Sequence, residues 1–213
     1  IVTGDTKVVP RGCGDGIYIN TAGVGEMIEG VDIAPANIKA GMDIIVSGTI
    51  GDHAATVMAA RHNLTLPPEI MSDSAPLCHM TAAMLASAPF IAVLRDPTRG
   101  GVAASLNELA QAAKVGILLE EGAIPVHPAV QGVCDLLGFD PLTLANEGKL
   151  LAFVSPEDTA RVLDVMHADP HGRAACVIGH TTAEAPGEVG LRTALGGIRV
   201  VDLPLGELVP RIC

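Results

Sequence analysis

Short apolar runs and longer amphipathic stretches take turns along the chain. Runs at 16–20, 43–47, 91–94, 117–120, 150–154, 176–178 and 198–201 are rich in Ile, Val and Leu and are predicted as strands. Helices are predicted over 52–61, 75–87, 101–113 and 129–137. The clearest helix opens at Ser155-Pro156-Glu157-Asp158. There serine is placed to cap, proline takes the first helical position and two acids face the positive helix end, with Val162, Leu163 and Met166 as the buried stripe.

This mixture predicts an α+β fold in α/β layers. The scarcity of aromatics and the 24 glycines among many Ala, Val and Leu fit close packing of helices on a sheet with tight turns. The chain is expected to divide into a Gly-rich segment 1–40, the end of one sheet domain, then a second α+β domain over 41–204 and a mobile tail over 205–213. A first residue of Ile1, with no leader, is read as a start inside a larger protein.

Composition narrows the function. With 49% hydrophobic and 17% charged residues the chain has enough apolar surface to fold. A net charge of −11 without a Lys/Arg cluster argues against nucleic acid as a partner. It leaves room for a nucleotide held locally by loop amides, a helix start, one lysine and Mg²⁺. The five cysteines, at 13, 78, 134, 176 and 213, lack the Cys-x-x-Cys or paired-His spacing of a zinc site. Their odd number and wide spacing fit reduced thiols in the cytosol, and no apolar run is long enough to span a bilayer. Cys78, Cys134 and Cys176 sit among apolar neighbours and are expected as small core residues.

Four segments carry candidate chemistry. Gly4-Asp5-Thr6-Lys7 places an acid and an amine in a glycine turn, which suits either a phosphate contact or a surface hairpin; it is not a Walker P-loop. Asp96-Pro97-Thr98-Arg99-Gly100-Gly101 follows a strand and opens a helix. Backbone N–H groups and Arg99 would face an anion there, or Asp96 or Thr98 would merely cap the helix. Ala145-Asn146-Glu147-Gly148-Lys149 is a polar turn ahead of an apolar strand, where Glu147 is either a general base or a solvated loop residue. Pro210-Arg211-Ile212-Cys213 ends the chain on a thiol, a swinging nucleophile or a stray cysteine. His53 beside Asp52 is read as capping or orienting the helix that follows.

The opening Thr-Gly-Asp-Thr-Lys-Val-Val, then Gly-Thr-Ile-Gly-Asp-His, Asp-Pro-Thr-Arg-Gly-Gly, Ala-Asn-Glu-Gly-Lys and the terminal Pro-Arg-Ile-Cys resemble, in content and order, the HypE family of hydrogenase maturation proteins. The first four also resemble the wider superfamily of aminoimidazole ribonucleotide synthetase and selenophosphate synthetase. The resemblance implies an N-terminal α/β domain that dimerises and binds ATP and Mg²⁺, of which only the end is present, followed by a C-terminal α+β domain. It also implies an ATP-dependent carbamoyl dehydratase, a carbon–oxygen lyase. HypF loads a carbamoyl group on Cys213, ATP activates its oxygen, and the resulting thiocyanate supplies cyanide to iron held by HypC–HypD. By the same resemblance Lys7 opposes developing negative charge and Glu147 takes the amide proton. Asp5, Asp96, Thr98, Arg99, Gly100 and Gly101 are the expected nucleotide contacts. The rival reading is a non-catalytic docking module that presents its tail to HypF or HypC–HypD.

Overall fold

The structure is a computed structural model and describes residues 2–14, 16–88 and 90–203. Two compact units divide the chain between Val31 and Asp32.

The first unit is extended, with a turn closed by the Cys13 N–H donating to the Pro10 carbonyl at 3.0 Å. The strand expected at 16–20 is absent, and the side chains of Ile17, Tyr18 and Ile19 are exposed. An apolar run becomes a strand only where it enters a sheet, and among the described residues of this unit no strand is formed.

The second unit is built on one seven-stranded sheet. Its strands are β1 (Asp43–Val46), β2 (Ile91–Arg95), β3 (Gly116–Glu120), β4 (Leu151–Val154), β5 (Cys176–Thr182), β6 (Val189–Arg192) and β7 (Ile198–Val200), in the spatial order β2-β4-β1-β5-β3-β6-β7. Neighbours are antiparallel except β3 and β6, which run parallel. Alternation along the central strands sends side chains to two faces. Ile44, Val46, Leu151 and Phe153 join Val102, Leu106 and Leu109 of helix α3 (Gly101–Ala113) in one core. Ile45, Ala152 and Val154 join Met80 and Met84 of α2 (Cys78–Ser87) and Val162 and Met166 of α5 (Pro156–Ala168) in the other. The expected α5 stripe is therefore present, with Leu163 half-buried at its edge. A third cluster, away from the sheet centre, packs α1 (Asp52–Arg61) on α4 (Pro128–Leu137) through Ala54, Ala55, Val130, Val133 and Cys134. No described helix is long and apolar enough to cross a membrane.

Several local expectations need correction. Ser155 does not cap α5 with its side chain; its carbonyl instead accepts from Asp158 and Thr159, at 2.9 and 3.1 Å. Helix α2 begins at Cys78 rather than 75, because Pro76 holds the preceding residue out of helical geometry. Cys78 then lies exposed in the first turn, not in a core. Cys134 is buried and its thiol is pushed up to about 11, mainly by desolvation; burial also raises that of the half-buried Cys176. Both are poor nucleophiles.

Candidate functional site

The polar segments singled out in the second unit meet at Asn146. Its side chain is 1% exposed and fully engaged. Oδ1 accepts from the Gly51 N–H at 2.8 Å, and Nδ2 donates to the carbonyls of Pro97 and Leu144 at 2.9 and 3.0 Å. The Asn146 N–H also donates to Pro97, at 3.2 Å. One amide thus ties the 48–53 loop before α1, the 96–101 loop before α3 and the 145–149 turn before β4. A buried amide with every bond made rigidifies what it joins.

Within the 96–101 loop neither expected cap is found. Gly100 is the N-cap residue, at φ +73°, and no side chain caps α3; the Gly101 N–H donates to the Thr98 carbonyl at 3.0 Å. Asp96 and Arg99 are exposed, and Arg99 has no ion pair among the described residues. A free guanidinium beside a helix start fits a phosphate group. Gly101 is pinned where it is: at φ +63°, a Cβ would lie 2.5 Å from the carbonyl oxygens of both Leu142 and Leu144.

Glu147 is half-buried, and its N–H donates to Oδ1 of Asp73 at 2.9 Å. Lys149 Nζ faces the other oxygen of Asp73 at 3.8 Å, and the two side chains are 14% and 3% exposed. Asp52, in the first turn of α1, accepts from the Thr49 hydroxyl on Oδ2, while its buried Oδ1 has no hydrogen-bond partner among the described residues. His53 shares a 2.8 Å hydrogen bond with Ser72, so it joins α1 to the 62–77 segment rather than capping the helix.

Burial raises the Asp52 carboxyl above its ordinary 3.8, and Asp73 adds to this, while the Thr49 hydroxyl, Lys149 and His127 oppose it. The folded state therefore binds the proton more tightly than the unfolded chain does. The stability from Asp52 is fully present below pH 3.8 and is lost as pH rises through the folded value. Asp52→Asn is expected to remove that decline. Unfolding free energy measured by denaturant across pH 4 to 8 checks it, and an unchanged slope would contradict the assignment.

Asp5 and Lys7 lie in the first unit, where both are exposed and Asp5 Oδ1 accepts from the Thr6 N–H at 2.8 Å. Cys213 lies outside the described residues. The second unit thus brings together 96–101 and Glu147, and adds Asn146, Asp73, Lys149, Asp52 and Thr49. Among these, Asp73 carried no readable signal, whereas Asn146 and Lys149 flank Glu147 in the turn already singled out.

With this sheet and this junction of loops in view, comparison with known proteins defines the class. The chain belongs to the AIR synthase related family, whose C-terminal domain matches residues 39–192. Within it, the chain is similar over its whole length to the carbamoyl dehydratase HypE of Rhodobacter capsulatus, with 50% identity over 213 residues, and spans 63% of that relative. A solved hydrogenase maturation protein HypE in complex with ATP superposes with a TM-score of 0.80 at 37% identity, over 85% of this chain and 55% of that one. A HypE–HypF complex matches with a TM-score of 0.78 at 39% identity, over 83% and 57%. The resemblance seen in the motifs, and the α+β fold it implied, are both borne out.

Proposed function

We propose that this chain is the C-terminal part of an ATP-dependent carbamoyl dehydratase that serves hydrogenase maturation, with Cys213 as its carrier. The observation that carries the reading is the 50% identity, across all 213 residues, to a protein named for that activity. Residues 1–40 complete an N-terminal ATP-binding, dimerising domain, a reading that the exposed apolar side chains of Val2, Val8, Ile17, Ile19 and Val24 favour for the first unit, while 32–40 belong to the second. Residues 41–204 form the synthetase-like domain, and 205–213 the tail. HypF is the partner that loads the tail, in keeping with the relative solved in complex with HypF. ATP is the co-substrate, in keeping with the relative solved with ATP. The reaction runs in the cytosol.

In the chemistry we assign, the carbamoyl oxygen on Cys213 attacks the γ-phosphorus of ATP, releasing ADP, and one amide proton passes to solvent. Glu147 takes the remaining N–H proton, its electron pair forms the C≡N bond, and the C–O bond breaks as phosphate departs. Thiocyanate is left on the thiol. Lys7 opposes the charge that grows on oxygen, and Arg99 with the loop 96–101 receives phosphate. Asp5 completes the nucleotide contacts. Mg²⁺ would shield the phosphates; the described residues gather no set of three metal-ligating side chains. Tethering the thiol makes the step intramolecular, limited by reach rather than encounter. A tail that leaves the site then hands cyanide to iron on HypC–HypD.

The test is phosphate release. Full-length protein with a HypF-loaded tail is expected to release phosphate from ATP in step with loss of the carbamoyl group. Binding of HypF without any such turnover would favour the docking-module reading.

A further inference from the structure

Asp73 grips the Glu147 turn twice. Its Oδ1 accepts the Glu147 N–H at 2.9 Å, and its carbonyl oxygen fills the space a side chain at Gly148 would need, 1.8 Å from where a Cβ would fall. Its second carboxylate oxygen is buried without a hydrogen-bond partner among the described residues and faces Lys149 Nζ at 3.8 Å. A carboxylate 3% exposed is costly to bury unless a cation faces it. An orphaned oxygen on it calls for a reason.

Lys149 stands two residues beyond Glu147, with only Gly148 between. The ammonium lies against the β1–α1 loop, 3.6 Å from where a Cβ of Gly48 would be. Asp73 faces it at 3.8 Å. Among the described residues Glu147 has no ion pair. From this arrangement we infer that Asp73 is the positioning residue of Glu147: one oxygen fixes the backbone of the base, while the other draws the Lys149 ammonium away from the Glu147 carboxylate. The proposal rests on Glu147 being the base of the dehydration. A base whose oxygens are held by a neighbouring ammonium has lost the lone pair it needs for an amide proton.

The experiment uses full-length protein loaded by HypF, with kcat normalised to the carbamoylated tail so that only competent molecules are counted. Asp73→Asn keeps an oxygen that can accept the Glu147 N–H but removes the charge. Its kcat is expected to fall about 10- to 100-fold, with KM for ATP within about twofold. Adding Lys149→Met to Asp73→Asn is expected to recover at least about fivefold, since the ammonium no longer competes. Asp73→Ala loses the backbone grip as well, and Lys149→Met is expected not to rescue it. Wild-type kcat in Asp73→Asn, or no recovery in the double variant, would overturn the proposal provided Glu147→Gln is inactive. If Glu147→Gln itself turns over normally, the reading of Glu147 falls, and the role of Asp73 with it.

Discussion

Glu147→Gln in the full-length protein is expected to lower kcat for dehydration of the carbamoylated tail by about 10²- to 10⁴-fold, the usual worth of a general base. The amide fills the same volume, and the Glu147 N–H still has Asp73 Oδ1 to donate to at 2.9 Å, so the turn stays in place. ATP affinity is expected to change less than about twofold, because the phosphate contacts are assigned to the 96–101 loop and not to this side chain. Single-turnover assays that follow carbamoyl loss separate the two effects. A variant whose KM for ATP rises while kcat holds would make Glu147 a binding group, not a base.

Gly101→Ala is the substitution expected to damage the fold most. The residue has φ +63°, and its Cβ would fall 2.5 Å from two backbone carbonyl oxygens, those of Leu142 and Leu144. Neither oxygen can swing away as a side-chain tip would. Strain and overpacking together are expected to cost on the order of 3 kcal/mol, read as a lowered denaturant midpoint. Leu144 also accepts from Asn146 at 3.0 Å, so the shift would spread to the junction of the three loops and reduce activity as well. Gly138→Ala is the internal control. Its φ is +76° but nothing lies within 4 Å, so only backbone strain of about 1 to 2 kcal/mol is expected. Equal losses in the two variants would mean that the carbonyl contacts of Gly101 count for nothing.

Much of the sheet unit was legible because its elements are locally consistent. Helices α1 and α3 have the bounds that the pattern gives, since each follows a glycine that stops the preceding segment and then holds an apolar face. The central strands were legible as runs of Ile, Val, Leu and Ala buried on both faces. β6 was not: Val189-Gly190-Leu191-Arg192 offers two apolar positions, too short a period to notice, and it becomes a strand by pairing parallel to β3. The run at 16–20 misled for the opposite reason, having hydrophobicity but side chains that are exposed and not packed in a sheet. At the site, the Asp96 and Glu147 segments were visible as polar turns beside glycine, and Asp52 only as the neighbour of a His53 read as capping or orienting a helix. Their junction was not, because Asn146 bonds residues 49 and 95 positions away and no local period encodes such distances. Asp73 was invisible in the sequence, since its segment has neither helix nor strand to set it off and its role exists only opposite Gly148 and Lys149.

The carrier role of the terminal thiol is tested most directly by intact mass spectrometry. Full-length protein would be incubated with HypF, carbamoyl phosphate and ATP, alongside Cys213→Ala. A carbamoyl adduct that maps to Cys213, gives way with time to a cyano adduct and is absent in the variant is expected. A tail left unmodified by active HypF, or cyanation that survives Cys213→Ala, would contradict it.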